Sequence, residues 1–201
     1  MTKPRVFIVD DEPEIRSALS LLLSTLDADT EEYASAEGFF ENAPADEPYC
    51  VLLDNKLPGL SGIELLPRLI ERSRAACVIM MTGHGDVPTA VKAMRLGAYH
   101  FVEKPFDPEA LLGVVEEALG RSEREAELGV EALKFRERRA TLTEREAEVF
   151  ALLLEGLASK SIAARLDITT RTAEHHRAAV LRKFEAKSLS ALLRVALSIK
   201  P

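Results

Sequence analysis

The chain has little cysteine: Cys50 and Cys77 stand alone in 201 residues. Neither has a second cysteine or a histidine at ligand spacing, so no zinc site is written here. Each sits beside an apolar, strand-like run, the setting of a small buried residue in a reducing compartment. Long hydrophobic runs are also missing. No stretch approaches the ~18–20 apolar residues of a membrane-spanning helix, so no membrane partner is expected. The opening MTKPRVFIVDDEP runs straight into a strand-like segment and lacks the apolar core and cleavage site of a secretory leader. A cytoplasmic location is the expectation. Internal repeats and low-complexity tracts are absent as well.

What is present is enough for one or two packed domains: 47% of residues are hydrophobic and 29% charged. The net charge of −7 is unevenly spread. Residues 141–201 hold ten basic and seven acidic side chains, whereas residues 1–140 hold 16 and 26. An acidic part followed by a basic part suggests two jobs, the second compatible with nucleic acid.

Over the first ~120 residues, short β-rich runs alternate with helical patterns. The strands read Arg5–Asp10, about Thr30–Tyr33, Cys50–Asp54, Cys77–Thr82 and Tyr99–Val102. Three of them are almost unbroken apolar runs, as expected of strands covered on both faces of a parallel sheet. Between them, Pro13–Leu26 places Ile15, Leu19, Leu22, Leu23 and Leu26 on one stripe, and Ile63–Arg72 follows Ser61-Gly62. Asp86 opens a helix to about Leu96, with Gly97 at its C-terminal stop. Asp107-Pro108 opens another toward Leu119. The pattern predicts a doubly wound α/β domain with a five-stranded parallel sheet over residues 1–120.

Residues 121–140 are charged, and Ala126, Val130 and Leu133 continue the apolar spacing of the preceding helix. A continuous connecting helix and a flexible charged linker are both compatible with this, Gly129 being the weak point of the helix. Residues 141–201 are helical throughout. Thr143 and Glu146 form a capping box, and the helix they open ends at Gly156. Ser159–Leu166 is a short helix, Asp167-Ile168 a turn, Thr169 the cap of a helix through about Phe184, and Ser188 the cap of the last. This is an all-α, four-helix domain with helix-turn-helix layout.

Polar residues gather where the strands end. Asp10, Asp11 and Glu12 close the first, Asp54 the third and Thr82 the fourth, and Lys104 follows the fifth. In an open parallel sheet, ligands bind outside the carboxyl ends of the strands. Carboxylates at buried strand ends repel one another unless a cation sits among them, and an all-oxygen site suits Mg²⁺. Singly, Asp54 reads as well as a strand-end cap and Lys104 as a surface charge. As a set, with Pro58-Gly59 after Asp54 and Pro105 after Lys104, residues 4–120 resemble receiver domains of the CheY type.

That resemblance implies a mechanism. Asp54 would take a phosphoryl group from the phosphohistidine of a sensor kinase. Asp11, Asp54 and the Lys56 backbone carbonyl would hold Mg²⁺, with Asp10 assisting through water. Lys104 would pair with phosphoryl oxygens, and Thr82 would donate to the new phosphate and act with Phe101 as the switch. From the residues alone, Phe101 reads equally well as an ordinary core aromatic. The face formed by roughly Val87–Leu119 would then dimerise. Lys56 and His84 would flank the attacking water and tune phosphate lifetime, or else be solvent-exposed variation. A phosphatase with an aspartyl nucleophile would want a second Asp where Lys56 stands, so no enzyme beyond self-phosphorylation and self-dephosphorylation is expected. A receiver that signals by binding alone is the remaining alternative.

The segment SKSIAARLDITTRTAEHHRAAVLRKFEAKSLSALLRVAL resembles the LuxR-type domain of the NarL/FixJ family, and TGHGDVPTAVKAMRLGAYHFVEKPF resembles FixJ-type regulators. By position, Glu174, His175 and Ala178 would face base edges of double-stranded DNA, with Arg171 as a further one. Lys160, Thr170, Thr172, Arg177, Arg182 and Lys183 would meet phosphates. Glu174 would accept from cytosine N4 or pair with Arg171 or Arg177 along the helix. His176 reads as a packing residue rather than a metal ligand. The whole implies a phosphorylation-switched transcription regulator, a homodimer when phosphorylated, with RNA polymerase as a further partner.

Overall fold

The computed structural model describes residues 3–45, 47–83 and 87–199. Its contacts divide the chain into two compact units, Met1–Ala126 and Glu127–Pro201.

The first unit holds strands β1 (Arg5–Val9), β2 (Asp29–Tyr33), β3 (Tyr49–Asp54), β4 (Ala76–Thr82) and β5 (His100–Glu103). They are interleaved with helices α1 (Pro13–Leu23), α2 (Ala36–Asn42), α3 (Gly62–Arg72) and α4 (Val87–Arg95), and α5 (Pro108–Ala140) follows β5. The strands form one parallel sheet in the order β2-β1-β3-β4-β5. β3 and β4 are buried along their whole length, which explains their unbroken apolar sequences. Alternate side chains serve opposite faces. Phe7, Val9, Val51, Leu53, Val78 and Met80 pack against Phe39, Leu65, Leu69 and Ala93 of α2, α3 and α4. Val6, Ile8, Leu52, Ile79 and Met81 pack against Leu19 and Leu23 of α1 and Leu111, Val115 and Ala118 of α5. Cys50 and Cys77 are registered neighbours on this second face, buried as free thiols.

Some boundaries differ from the sequence pattern. α1 stops at Leu23 rather than Leu26, because the Ser24 and Thr25 hydroxyls donate back to the Leu21 and Leu22 carbonyls and end the ladder. α2 is too short for a periodic stripe; it is started by Ser35, whose hydroxyl accepts from the Gly38 amide. α5 runs unbroken through Gly129. The helix cap expected at Asp86 lies outside the described residues.

The second unit contains the end of α5 with α6 (Glu144–Leu154), α7 (Ser159–Leu166), α8 (Thr170–Lys183) and α9 (Leu189–Ser198). Val149, Phe150, Leu153, Ile162, Ala173, Val180, Phe184 and Leu192 form its core. The Thr143–Glu146 capping box is formed, and Thr169 and Ser188 cap α8 and α9. Asp167 takes a left-handed conformation, φ 52°, that ends α7 and turns the chain into α8. Asp tolerates that region better than most residues.

Candidate functional site

The sheet order reverses between β1 and β3, so the carboxyl ends of these two strands border a crevice. Asp10 follows β1 and is fully buried; Asp54 ends β3 and is 3% exposed. Lys104, brought beside them by β5, places Nζ 2.6 Å from Asp10 Oδ2 and 2.6 Å from Asp54 Oδ1. Glu12 stands at the rim, 4.0 Å from the same nitrogen. The other carboxylate oxygens are occupied by backbone: Asp10 Oδ1 accepts from the Glu12 amide at 3.0 Å, and Asp54 Oδ2 from the Lys56 amide at 2.5 Å. Asp11, next in the chain after Asp10, is exposed.

Burial pushes the Asp54 carboxyl up, and Asp10 adds to that, against the pull of Lys104 and the Lys56 amide. For Lys104, burial works to lower the ammonium, but its bonds to Asp10 and Asp54 outweigh it and the net shift is upward. Two buried carboxylates thus share one ammonium. The excess negative charge and the all-oxygen donor set fit a hard divalent cation such as Mg²⁺. Among the described residues no three-ligand metal cluster is already assembled.

Thr82 ends β4, is 1% exposed, and its carbonyl accepts from the Lys104 amide at 2.7 Å. The alternation of β4 puts Thr82 on the same sheet face as Met80. Phe101 is registered with Met80 and packs half-buried into the same cluster. Lys56, two residues after Asp54, is exposed, while His84 lies outside the described residues.

Two supporting residues escaped the sequence reading. Arg16 of α1 donates to the Asp10 carbonyl at 2.7 Å and lies 3.6 Å from Glu32 of β2, pinning the loop that carries the acids. Nothing in the periodicity of α1 marks it. Gly62 begins α3 so close to the Asp54 carbonyl that a Cβ would sit 2.2 Å from that oxygen. The glycine is required for this close approach of backbone to backbone.

Residues 6–116 match the response regulator receiver domain family, and residues 140–196 match the luxR family of bacterial regulatory proteins. The chain belongs to the response regulators. It is 41% identical over 192 residues to the transcriptional regulatory protein FixJ of Azorhizobium caulinodans, covering 96% of this chain and 91% of that one. FixJ of Rhizobium meliloti is likewise 41% identical, over 98% of this chain and 97% of its own length. Among solved structures, the response regulator StyR superposes with a TM-score of 0.81 at 34% identity, covering 98% of this chain and 99% of its own. Full-length FixJ from B. japonicum gives 0.59 at 39%, covering 99% and 98%.

In the regulator's second unit, α7, the turn at Asp167 and α8 make the helix-turn-helix. Arg171, Glu174, His175, Ala178 and Arg182 are all exposed, and their spacing puts them on one stripe of α8. Ala173, Val180 and Phe184 are buried on the opposite side. Lys160 and Thr170 are exposed in the first turns of α7 and α8. Thr172 is half-buried, its hydroxyl 2.8 Å from that of Thr169. Arg177 is half-buried, with Nη1 3.5 Å from Ser159 Oγ. Lys183 departs from the expectation of a phosphate contact. Its ammonium donates to Glu146 Oε2 at 2.6 Å and to the Thr141 carbonyl at 2.7 Å. That bond, with the Thr143 amide, holds the Glu146 carboxyl down to about 2.

Proposed function

We propose that Asp54 accepts a phosphoryl group from the phosphohistidine of a sensor histidine kinase, and that this switches dimerisation and sequence-specific binding of double-stranded DNA to control transcription. The observation that carries this reading is the buried Asp10–Lys104–Asp54 arrangement at the crevice of a receiver-type sheet.

An Asp54 carboxylate oxygen attacks phosphorus, the P–N bond breaks, and the electron pair leaves with the imidazole. Asp11, Asp54 and the Lys56 carbonyl would hold Mg²⁺, with Asp10 through water; the ion would neutralise charge on the transferring group. Lys104, already on Asp54, moves its ammonium to the phosphoryl oxygens. The Thr82 hydroxyl donates to the same group, and Phe101, on the same sheet face, repacks with it. Positioning and charge do most of the work in such a transfer. The regulator's own chemistry ends at phosphorylation and hydrolysis of Asp54.

The α4–β5–α5 face supports dimerisation. Val87, Val91 and Met94 lie on one stripe of α4 and are 74%, 44% and 49% exposed. In the second unit, Arg171, Glu174, His175 and Ala178 face base edges. Lys160, Thr170, Thr172, Arg177 and Arg182 meet phosphates, and RNA polymerase is the further partner. No helix among the described residues is long and apolar enough to cross a membrane, and a cytoplasmic site of action fits this role.

Incubation with Mg²⁺ and acetyl phosphate, beside Asp54→Ala, tests the reading. The wild type should gain one phosphoryl mass and shift from monomer to dimer by light scattering, and the variant should do neither. Equal mass gain in both would remove Asp54 as the acceptor.

A further inference from the structure

We propose that Glu174 is a specificity-determining residue of the DNA interface, its carboxylate accepting a hydrogen bond from the exocyclic amino group of a cytosine. The inference deepens the reading of the second unit as a DNA reader and rests on it.

Glu174 stands in the N-terminal half of α8, one turn after Arg171 on the exposed stripe that runs to Arg182. That half of a recognition helix is the part that reaches base edges. Arginines lie three residues to either side, Arg171 and Arg177, at the spacing that makes intrahelical ion pairs. Neither pair forms. Glu174 takes part in no salt bridge or side-chain hydrogen bond among the described residues, and the Arg177 guanidinium instead approaches Ser159 of α7. One turn further along the stripe, Ala178 presents only a methyl group, which leaves room for the helix to come close to the bases.

An unpaired carboxylate on a face that meets phosphates lowers affinity unless it finds a donor. An ionised carboxylate can only accept. In the major groove the donors are the N4 amino group of cytosine and the N6 amino group of adenine. Adenine sets its N7 acceptor beside that donor, so a carboxylate spanning both meets a lone pair. Guanine offers N7 and O6, acceptors both, and repels it. Cytosine is the base edge that fits, and the repulsion by guanine rejects the inverted pair, so one side chain selects and excludes.

The test is selection from a randomised duplex library with the full chain, in Mg²⁺ and acetyl phosphate, for wild type, Glu174→Ala and Glu174→Gln. Circular dichroism checks that the exposed substitutions leave the helices intact. The wild type should enrich a motif with a fixed C·G pair. In Glu174→Ala that position alone should become degenerate, losing about tenfold in discrimination. Glu174→Gln, which adds a donor beside the acceptor, should move the preference there toward adenine. If Glu174→Ala binds every sequence more tightly with the motif unchanged, the carboxylate is a solvated charge and the proposal is overturned. A wild type that enriches no motif overturns it together with the DNA-reading function. A clear wild-type motif untouched by either variant overturns the role of Glu174 alone.

Discussion

Burying Asp54 beside Asp10 with a single ammonium between them leaves the fold holding more negative charge than it neutralises. Because its folded carboxyl is raised, Asp54 opposes folding wherever it is ionised. Asp54→Asn should therefore raise the melting temperature of the receiver by a few degrees at pH 7. The gap should shrink as pH falls through the raised folded value and vanish below the ordinary carboxylate value, where both states are protonated. Lys104→Met should act in the other direction, costing about 3–5 kcal/mol at pH 7, since it strands two buried carboxylates. Urea melts of the two variants across pH would expose a wrong sign at once. A second residue-scale prediction concerns Tyr49, whose fully buried hydroxyl has no hydrogen-bond partner among the described residues. Burial pushes that phenol up to about 12. The ring is useful, set edge-on to Phe7 at 5.3 Å, but the hydroxyl is not. Tyr49→Phe should be neutral or stabilising by about 1 kcal/mol; a loss of that size would mean the hydroxyl has a partner in solution.

At the scale of elements, the Glu146–Lys183 bond ties the start of α6 to the end of α8 through the carboxylate that also closes the Thr143 capping box. Glu146 is held at about 2, below its ordinary 4.5. A depressed carboxyl contributes stability above the unfolded value and loses it as pH falls through the folded one. Lys183→Met should cost about 1–2 kcal/mol at pH 7, and the cost should fade between about pH 4.5 and 2. A pH-independent loss would point to packing of the lysine stem instead. This element also shows what was legible in the sequence. The capping box, the buried strands β3 and β4 and the acids at strand ends announce themselves through local spacing and apolar runs. The Lys183 bond joins residues 37 apart, so local pattern does not show it, and position in the LuxR-type segment points that lysine to a phosphate instead. The same holds for Arg16, whose partner is a backbone carbonyl. α2 carries no readable pattern, because seven residues give no period.

For the whole molecule, the proposed output is a change in association state, and its DNA affinity should follow from that. Met94 on α4 is half-exposed, so replacing it should change monomer stability by less than about 0.5 kcal/mol. Met94→Lys puts a charge into the apolar stripe formed with Val87 and Val91 and should keep the phosphorylated chain monomeric. Asp10, Asp54, Thr82 and Lys104 are untouched, so phosphorylation by acetyl phosphate should proceed to the same mass. The recognition stripe of α8 is untouched as well, so each half-site should be read as before. What is lost is the second half-site's gain from effective concentration, of the order of 10²-fold or more in overall affinity. On a two-fold-symmetric site the variant should therefore bind about a hundredfold more weakly than wild type, while the two should be equal on an isolated half-site. Gel-shift titrations on both duplexes separate the cases. Equal loss on both would place the effect of Met94 within DNA recognition itself, and no loss on either would take dimerisation through α4 out of the switch.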